Sequence, residues 1–231
     1  MPENSAPAGV GPTGTAGPGE GERARRRLRA DAQRNVESLL DAAKAVFATS
    51  GVDAPAKEIA NLAGVGVGTL YRHFPQRSDL VKSVIERGID ACADAAAALS
   101  AEHEPGTALT QWLLRYTEFL GTKRGLATAL HSGDPAFDAL PGYFMQRLGP
   151  ALGSLLDAAT ASGEIRADIS ATDLLNAIAL LCRPVHGEGL AYSQRMVAVL
   201  VDGLRYGSEP HGAGAHRRGA ALPGHAASLR P

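Results

Sequence analysis

A chain of 231 residues with 45% apolar residues, 5% aromatics and a formal net charge of −1 is long enough for a small domain joined to a larger one. The near-neutral balance excludes a general basic coat for nucleic acid. Two cysteines, Cys92 and Cys182, in no metal or redox spacing exclude a disulfide scaffold, and the lack of any apolar run of about 18 residues excludes a membrane-spanning helix.

In chain order, residues 1–21 are rich in Gly, Pro, Ala and Thr, and 207–231 in Gly, Pro, His and Arg. Both stretches read as disordered tails. The first has no apolar core of a signal peptide, so a cytoplasmic location is expected. Between the tails the apolar spacing is helical and no alternating strand pattern occurs. Alanine and leucine dominate the apolar set, which favours helix. The expected fold class is all-α, with about nine helices.

Charge divides the chain. Residues 22–87 carry twelve Lys and Arg against eight Asp and Glu, net +4, and the remainder carries eleven against sixteen, net −5. A basic segment on an acidic body suggests a local footprint for a polyanion. The expected division is a head over 22–87 and a body over 88–206. Arg23, Arg25, Arg26, Arg27 and Arg29 precede the first predicted helix. They read either as a solvated charged tail or as an arm following the minor groove or backbone of a duplex.

The first helix is predicted from about Ala30 to Ser50, with Val36, Leu40, Ala43 and Phe47 on one stripe and Gly51 as its stop. A second covers Pro55–Ala63, with Pro55 at its first position. A third covers Val67–Phe74, ended by Pro75, and a fourth runs from Ser78 toward Leu99. The second and third are too short to persist alone and must be held by packing. The link Gly64-Val65-Gly66 is a tight turn, so the pair makes a helix-turn-helix. Leu70 and Phe74 point inward, leaving Gly68, Thr69, Arg72 and His73 toward solvent with Tyr71 at the margin. Such a face suits a major groove: hydroxyls and imidazole reach phosphate oxygens, and arginine forks onto guanine.

The run Ile59-Ala60-Asn61-Leu62-Ala63-Gly64-Val65-Gly66-Val67-Gly68-Thr69-Leu70-Tyr71-Arg72-His73-Phe74 resembles the signature of tetracycline-repressor-type (TetR) regulators, over about residues 34–87. The resemblance implies an all-helical dimer, DNA-binding at its N-terminus and ligand-binding behind. It implies that Thr69, Tyr71 and His73 contact DNA, chiefly its backbone. Lys57 would lie near the DNA from helix two, and Arg77 would open helix four and hold a phosphate. Val67, Gly68 and Arg72 would face base edges or thymine methyls. The chain departs from many relatives in having Gly66 where Ser or Thr caps helix three, and Val67 where a polar residue stands. Glycine caps less well by a few tenths of a kcal/mol, and base reading falls heavily on Arg72.

Beyond Pro105, helices are predicted near 107–122, 124–131, 141–162, 170–182 and 192–206, with Ser170 and Asp173 resembling a capping box. Trp112, Tyr116 and Phe119 share one helix face and are followed by Leu130, His131 and Phe144. An aromatic stripe is packing first. With polar Arg115 and His131 beside it, this one also describes the wall of a small-molecule pocket. The runs Trp112-Leu113-Leu114-Arg115-Tyr116, Lys123-Arg124-Gly125-Leu126 and Ala161-Ser162-Gly163-Glu164-Ile165-Arg166-Ala167-Asp168 resemble the C-terminal domain of SbtR-like TetR regulators. The last two helices carry Leu174, Leu175, Ile178, Val197, Leu200, Val201 and Leu204, which the family resemblance assigns to a four-helix dimer contact. The expected partners are double-stranded operator DNA, an unidentified small-molecule effector and a second copy of the chain, with no membrane and no cofactor. No catalytic triad, metal-spaced cluster or phosphate loop in the right setting occurs, so no enzyme is expected. His131 and Asp134 are close in sequence, but Gly133-Asp134-Pro135 reads as a turn. The expectation is a repressor released by ligand. The alternatives are an activator, or a dimeric small-molecule-binding protein with a weak DNA-binding head.

Overall fold

The computed structural model describes residues 19–122, 126, 130, 132–183 and 185–206. Among the described residues there are eight α-helices and no strand: α1 (Glu20–Ser50), α2 (Ala56–Leu62), α3 (Val67–His73), α4 (Arg77–Glu102), α5 (Pro105–Thr122), α6 (Leu140–Ala161), α7 (Ala171–Leu181) and α8 (Leu190–Tyr206). The all-α class is as expected. The ninth predicted helix, at 124–131, lies outside the described residues apart from Leu126 and Leu130, as do both predicted tails up to residue 18 and from 207.

The chain divides into two compact units. One comprises the residues up to Arg87 together with Thr122–Leu140, and the other Gly88–Gly121 together with the residues from Pro141 onward. The residues of α4 are shared between them.

In the first unit, α1 starts at Glu20, ten residues before the predicted Ala30. The arginine run is therefore helix and not an extended arm. After Gly19 the segment contains only one further glycine, no proline, and several strong helix formers, Glu, Ala, Arg and Leu. The buried stripe of α1 is Leu39, Ala42, Ala43, Val46 and Phe47. Val36 and Leu40 sit at its edges, so the face is wider than the four predicted positions. Gly51, at φ +76°, ends the helix in the left-handed region that favours glycine. Pro55 is the residue before α2, one place earlier than predicted.

The turn from α2 to α3 closes on two backbone bonds. Gly64 N–H donates to Asn61 O at 3.2 Å, and Val65 N–H donates to Ala60 O at 3.0 Å. With Gly64 at φ +70°, this pair is a Schellman ending, which reverses the chain in two residues. Ile59 and Ala60 of α2, Leu70 of α3, Phe74, and Leu80, Val81, Val84 and Ile85 of α4 are also buried, as are Val52, Ala54, Leu126 and Phe137 of the connections in this unit and Leu140 at the start of α6. Gly133 at φ +76° and the Asp134 carboxylate, which accepts from Ala136 N–H at 2.9 Å, form the turn expected there. That carboxylate is committed to a cap.

In the second unit the core is built from Ile89 and Cys92 of α4, Leu109, Trp112, Leu113 and Tyr116 of α5, Leu148, Leu152 and Leu155 of α6, and the inner faces of α7 and α8. Ser170 caps α7 as predicted, its hydroxyl accepting from Asp173 N–H at 3.1 Å. The box is not reciprocal in the usual sense, because the same hydroxyl donates to Asp173 Oδ2 at 2.7 Å. Glu164 closes the start of α5 in the same manner, its Oε1 accepting from Gly106 N–H at 3.0 Å.

Candidate nucleic-acid interface

Helix α3 has seven residues, so it borrows its persistence from its anchors. Leu70 and Phe74 are buried at 3% and 6% exposure. They pin one side of the helix and leave the remaining arc free. Gly68 and Arg72 are exposed, and Val67, Thr69 and His73 are half-buried. Tyr71 is 54% exposed, which corrects its expected place at the margin: two anchors on a helix of two turns cover too narrow an arc to reach it. Lys57 is exposed on the first turn of α2. A Cβ at Gly68 would meet nothing within 4 Å, so the backbone there is open to close approach from outside. Gly66 precedes α3 at φ −72°, ψ 147° with no side-chain cap. This is ordinary extended backbone, which a serine could also adopt.

Arg77 opens α4, as expected, but its guanidinium is turned inward. Nε donates to Val52 O and Nη2 to Ala54 O, both at 2.6 Å, and Cζ stands 5.2 Å from the centroid of the Phe47 ring. Burial pushes the guanidinium below its ordinary value, against the opposing influence of Asp53 and then Tyr71. These bonds give Arg77 a role inside the unit in addition to the phosphate contact that the resemblance implies. Two of its donor directions are spent on carbonyls of the α1–α2 connection. Arg77 fixes the entry of α2 against the start of α4, a positioning function that spacing alone does not reveal. Replacing it with lysine keeps the charge and removes the planar fork. Arg77→Lys is expected to lower the unfolding free energy by about 2 kcal/mol, since a buried acceptor left without a donor costs roughly 1–3 kcal/mol. A variant as stable as the wild type in urea unfolding would remove this positioning role from Arg77.

In the second unit, the aromatic residues expected at a pocket are mostly core. Trp112 and Tyr116 have no exposed surface and Phe119 is buried. Trp112 stacks on Tyr116 at 5.7 Å, and Tyr116 meets Phe119 at 6.4 Å and Phe144 at 6.0 Å. The polar ends are bonded inside: Trp112 Nε1–H donates to Cys92 O at 2.8 Å and Tyr116 OH to Leu175 O at 3.3 Å. Burial pushes the Tyr116 phenol far up and the Cys92 thiol up to about 12, the latter opposed by Arg115. Both groups are neutral at physiological pH. Phe144 is half-buried, and Arg115 is exposed, outside the buried stack. Leu130 is half-buried in the first unit, and His131 lies outside the described residues.

The sequence reading missed a polar cluster. Asp90 Oδ1 accepts from Tyr143 OH and from Arg147 Nε, both at 2.7 Å, and Asp94 Oδ1 accepts from Arg147 Nη2 at 2.8 Å. These bonds hold the Arg147 guanidinium above its ordinary value. The signal was present as two pairs at spacing four, Asp90 with Asp94 and Tyr143 with Arg147, each on one helix face.

The proposed dimer residues need a larger correction. Leu174, Leu175, Ile178, Val197, Val201 and Leu204 are all buried within the protomer, and Leu200 is half-buried. They face the core of their own unit. The large apolar side chains that α7 and α8 leave in solvent are Leu180 at 62%, Leu190 at 37% and Val199 at 65% exposure.

Comparison with known proteins agrees with this architecture. Residues 39–84 match the family described as bacterial regulatory proteins of the tetR family, and residues 104–206 match the C-terminal domain of SbtR-like transcriptional regulators. A TetR transcriptional regulator of Streptomyces coelicolor is 35% identical, with a TM-score of 0.64 over 74% of this chain and 98% of that one. A TetR transcription regulatory protein of Mycobacterium vanbaalenii is also 35% identical, with a TM-score of 0.61 over 77% and 99%. An HTH-type transcriptional regulator of Staphylococcus aureus (strain USA300) is 41% identical over 64 residues, 27% of this chain; the match spans only 35% of the length of that relative. The chain belongs to the TetR family of transcriptional regulators, with a DNA-binding helix-turn-helix and an SbtR-like C-terminal domain.

Proposed function

We propose that this regulator is a homodimeric repressor that reads a palindromic operator and releases it when a small molecule binds the second unit. The observation that carries this reading is the outer face of α3. Gly68, Tyr71 and Arg72 are exposed beside half-buried Val67, Thr69 and His73 on a helix pinned from behind by Leu70 and Phe74. In this reading Thr69, Tyr71, His73 and Lys57 hold phosphates and fix the register. Arg72 forks onto a guanine, Val67 meets a thymine methyl, and Gly68 lets the backbone come close. Two copies of α3 enter successive major grooves, roughly 34–36 Å apart or a multiple of it, which is why the site is palindromic. The twofold contact is made by the outer faces of α7 and α8, around Leu180 and Val199.

The effector is seated against the aromatic group of the second unit, where half-buried Phe144 and exposed Arg115 border the buried rings of Trp112, Tyr116 and Phe119. Since the described hydroxyl and indole groups there are already bonded to backbone carbonyls, the chemistry favours an apolar, uncharged molecule. A ligand that prefers the spacing of the free form shifts the population away from DNA. A coupling of about 1–3 kcal/mol changes operator affinity about 5- to 150-fold.

Selection of bound duplexes from a random pool tests the reading directly, and a palindromic consensus is the expected result. On the selected duplex, Tyr71→Phe removes one hydroxyl per subunit. At about 1 kcal/mol for each hydrogen bond, two such losses lower affinity roughly thirtyfold in fluorescence anisotropy, with the fold unchanged. Recovery of no enriched sequence would count against the operator reading, and equal binding by the variant would remove Tyr71 from the interface. Expression of a reporter downstream of the selected site then gives the sign of regulation.

A further inference from the structure

We propose that the first three turns of α1 are a second DNA-binding element, a basic helix that lies along the phosphate backbone outside the operator core. This rests on the reading that the chain binds duplex DNA. The helix begins at Glu20, and its first eleven residues span about 16 Å at 1.5 Å per residue. Every described side chain from residue 22 to residue 34 is exposed. The segment therefore has no core contact of its own; it extends the packed part of a 31-residue helix into solvent.

Its charges make matters worse in isolation. Arg23 and Arg27, Arg25 and Arg29, Arg23 and Arg26, and Arg26 and Arg29 stand at spacings of four or three, where like charges destabilise a helix. Among the described residues no ion pair engages any of the five. At 100° per residue they sweep an arc of roughly 200°, too wide for a single acidic side chain and suited to a dense polyanion. Duplex DNA presents one negative charge per about 1.7 Å of axis.

These arginines also account for the whole basic excess of the recognition unit. Residues 22–87 hold twelve Lys and Arg against eight Asp and Glu; without the five, seven face eight. Helix α1 continues into the same compact unit that carries α3. A helix about 10–12 Å across is too wide to lie inside a minor groove about 6 Å wide, so the segment is placed along the phosphate backbone and not threaded into that groove. Contacts there carry no sequence information.

The test uses the full chain, the R23Q/R25Q/R26Q/R27Q/R29Q variant and the matching five-lysine variant. The probes are a duplex of about 40 base pairs centred on the selected site, and the same site trimmed to its palindrome. Glutamine keeps helix propensity close to that of arginine. If two or three arginines per subunit reach phosphates, the glutamine variant loses roughly 4 units from the slope of log affinity against log salt on the long duplex, at about 0.9 per phosphate. The lysine variant keeps the slope, and trimming the duplex weakens only the charged proteins. The two-site variant R23Q/R27Q shows a proportionate loss, which guards against misfolding of the fuller variant. Unchanged slopes beside normal wild-type binding would overturn the proposal and spare the operator reading. Tighter binding by the glutamine variant would overturn it too, placing the arginines against an acidic surface of the protein itself. No binding of the wild type to either duplex at low salt would overturn both.

Discussion

Trp112→Ala is expected to lower the unfolding free energy by about 3–5 kcal/mol, a large part of the 5–15 kcal/mol that holds a typical domain. The residue has no exposed surface, stacks on Tyr116 at 5.7 Å and donates its indole N–H to the Cys92 carbonyl of α4 at 2.8 Å. Truncation removes the transfer free energy of the ring and leaves a void that α4 and α5 close only partly. It also strips Tyr116 of its stacking partner, while Phe119 and Phe144 remain against the other side. At roughly 2–4 °C per kcal/mol for a chain of this size, thermal unfolding falls by about 10 °C. Trp112→Phe keeps a ring and loses the N–H, and is expected to cost about half as much. A midpoint within about 2 °C of the wild type for the alanine variant would mean that the ring lies in a space able to collapse or admit a ligand. It would then be pocket wall and not core.

Helix type and the motif around α3 were legible because they rest on local chemistry. Spacing three and four, a positive-φ glycine at position 64 and the pair Leu70 and Phe74 each demand their structure within a few residues. What failed was whatever depended on the partner of a face. A stripe such as Leu174, Leu175 and Ile178 reads the same whether it meets its own core or a second copy, and here it is fully buried in its own unit. The arginine run reads the same as a charged tail or a charged helix, because propensity and repulsion pull in opposite directions there. The inward turn of Arg77 needs knowledge that Val52 O and Ala54 O come within 2.6 Å of it, a contact across more than twenty residues. Arg115 stands within the aromatic run in sequence yet sits on the exposed side of α5, since one step along a helix rotates a side chain by about 100°, so spacing alone does not distinguish the wall of a site from its rim.

The double variant Leu180→Asp, Val199→Asp is expected to turn the protein into a monomer and to lower affinity for the selected duplex by about a hundredfold or more, the range over which linking two sites raises avidity. Leu180 lies near the end of α7 and Val199 in the middle of α8, two helices that pack together. They are 62% and 65% exposed in the isolated chain. Asn176, Ala198 and Asp202 beside them are exposed as well, a mixture of small and polar residues that allows close approach. In an isologous contact each substitution appears twice, so four carboxylates would face one another across a surface meant to be dry. Neither position touches the core of its own unit, so the monomer keeps its helicity. That separates this variant from Leu174→Ala, which opens a cavity and costs about 2–5 kcal/mol of folding stability. Light scattering after size exclusion reads the mass directly. A dimer that survives both aspartates would place the twofold contact on another face. A monomer that still bound the full palindrome as tightly as the wild type would remove dimerisation from the account of affinity and leave each α3 to read its half-site alone.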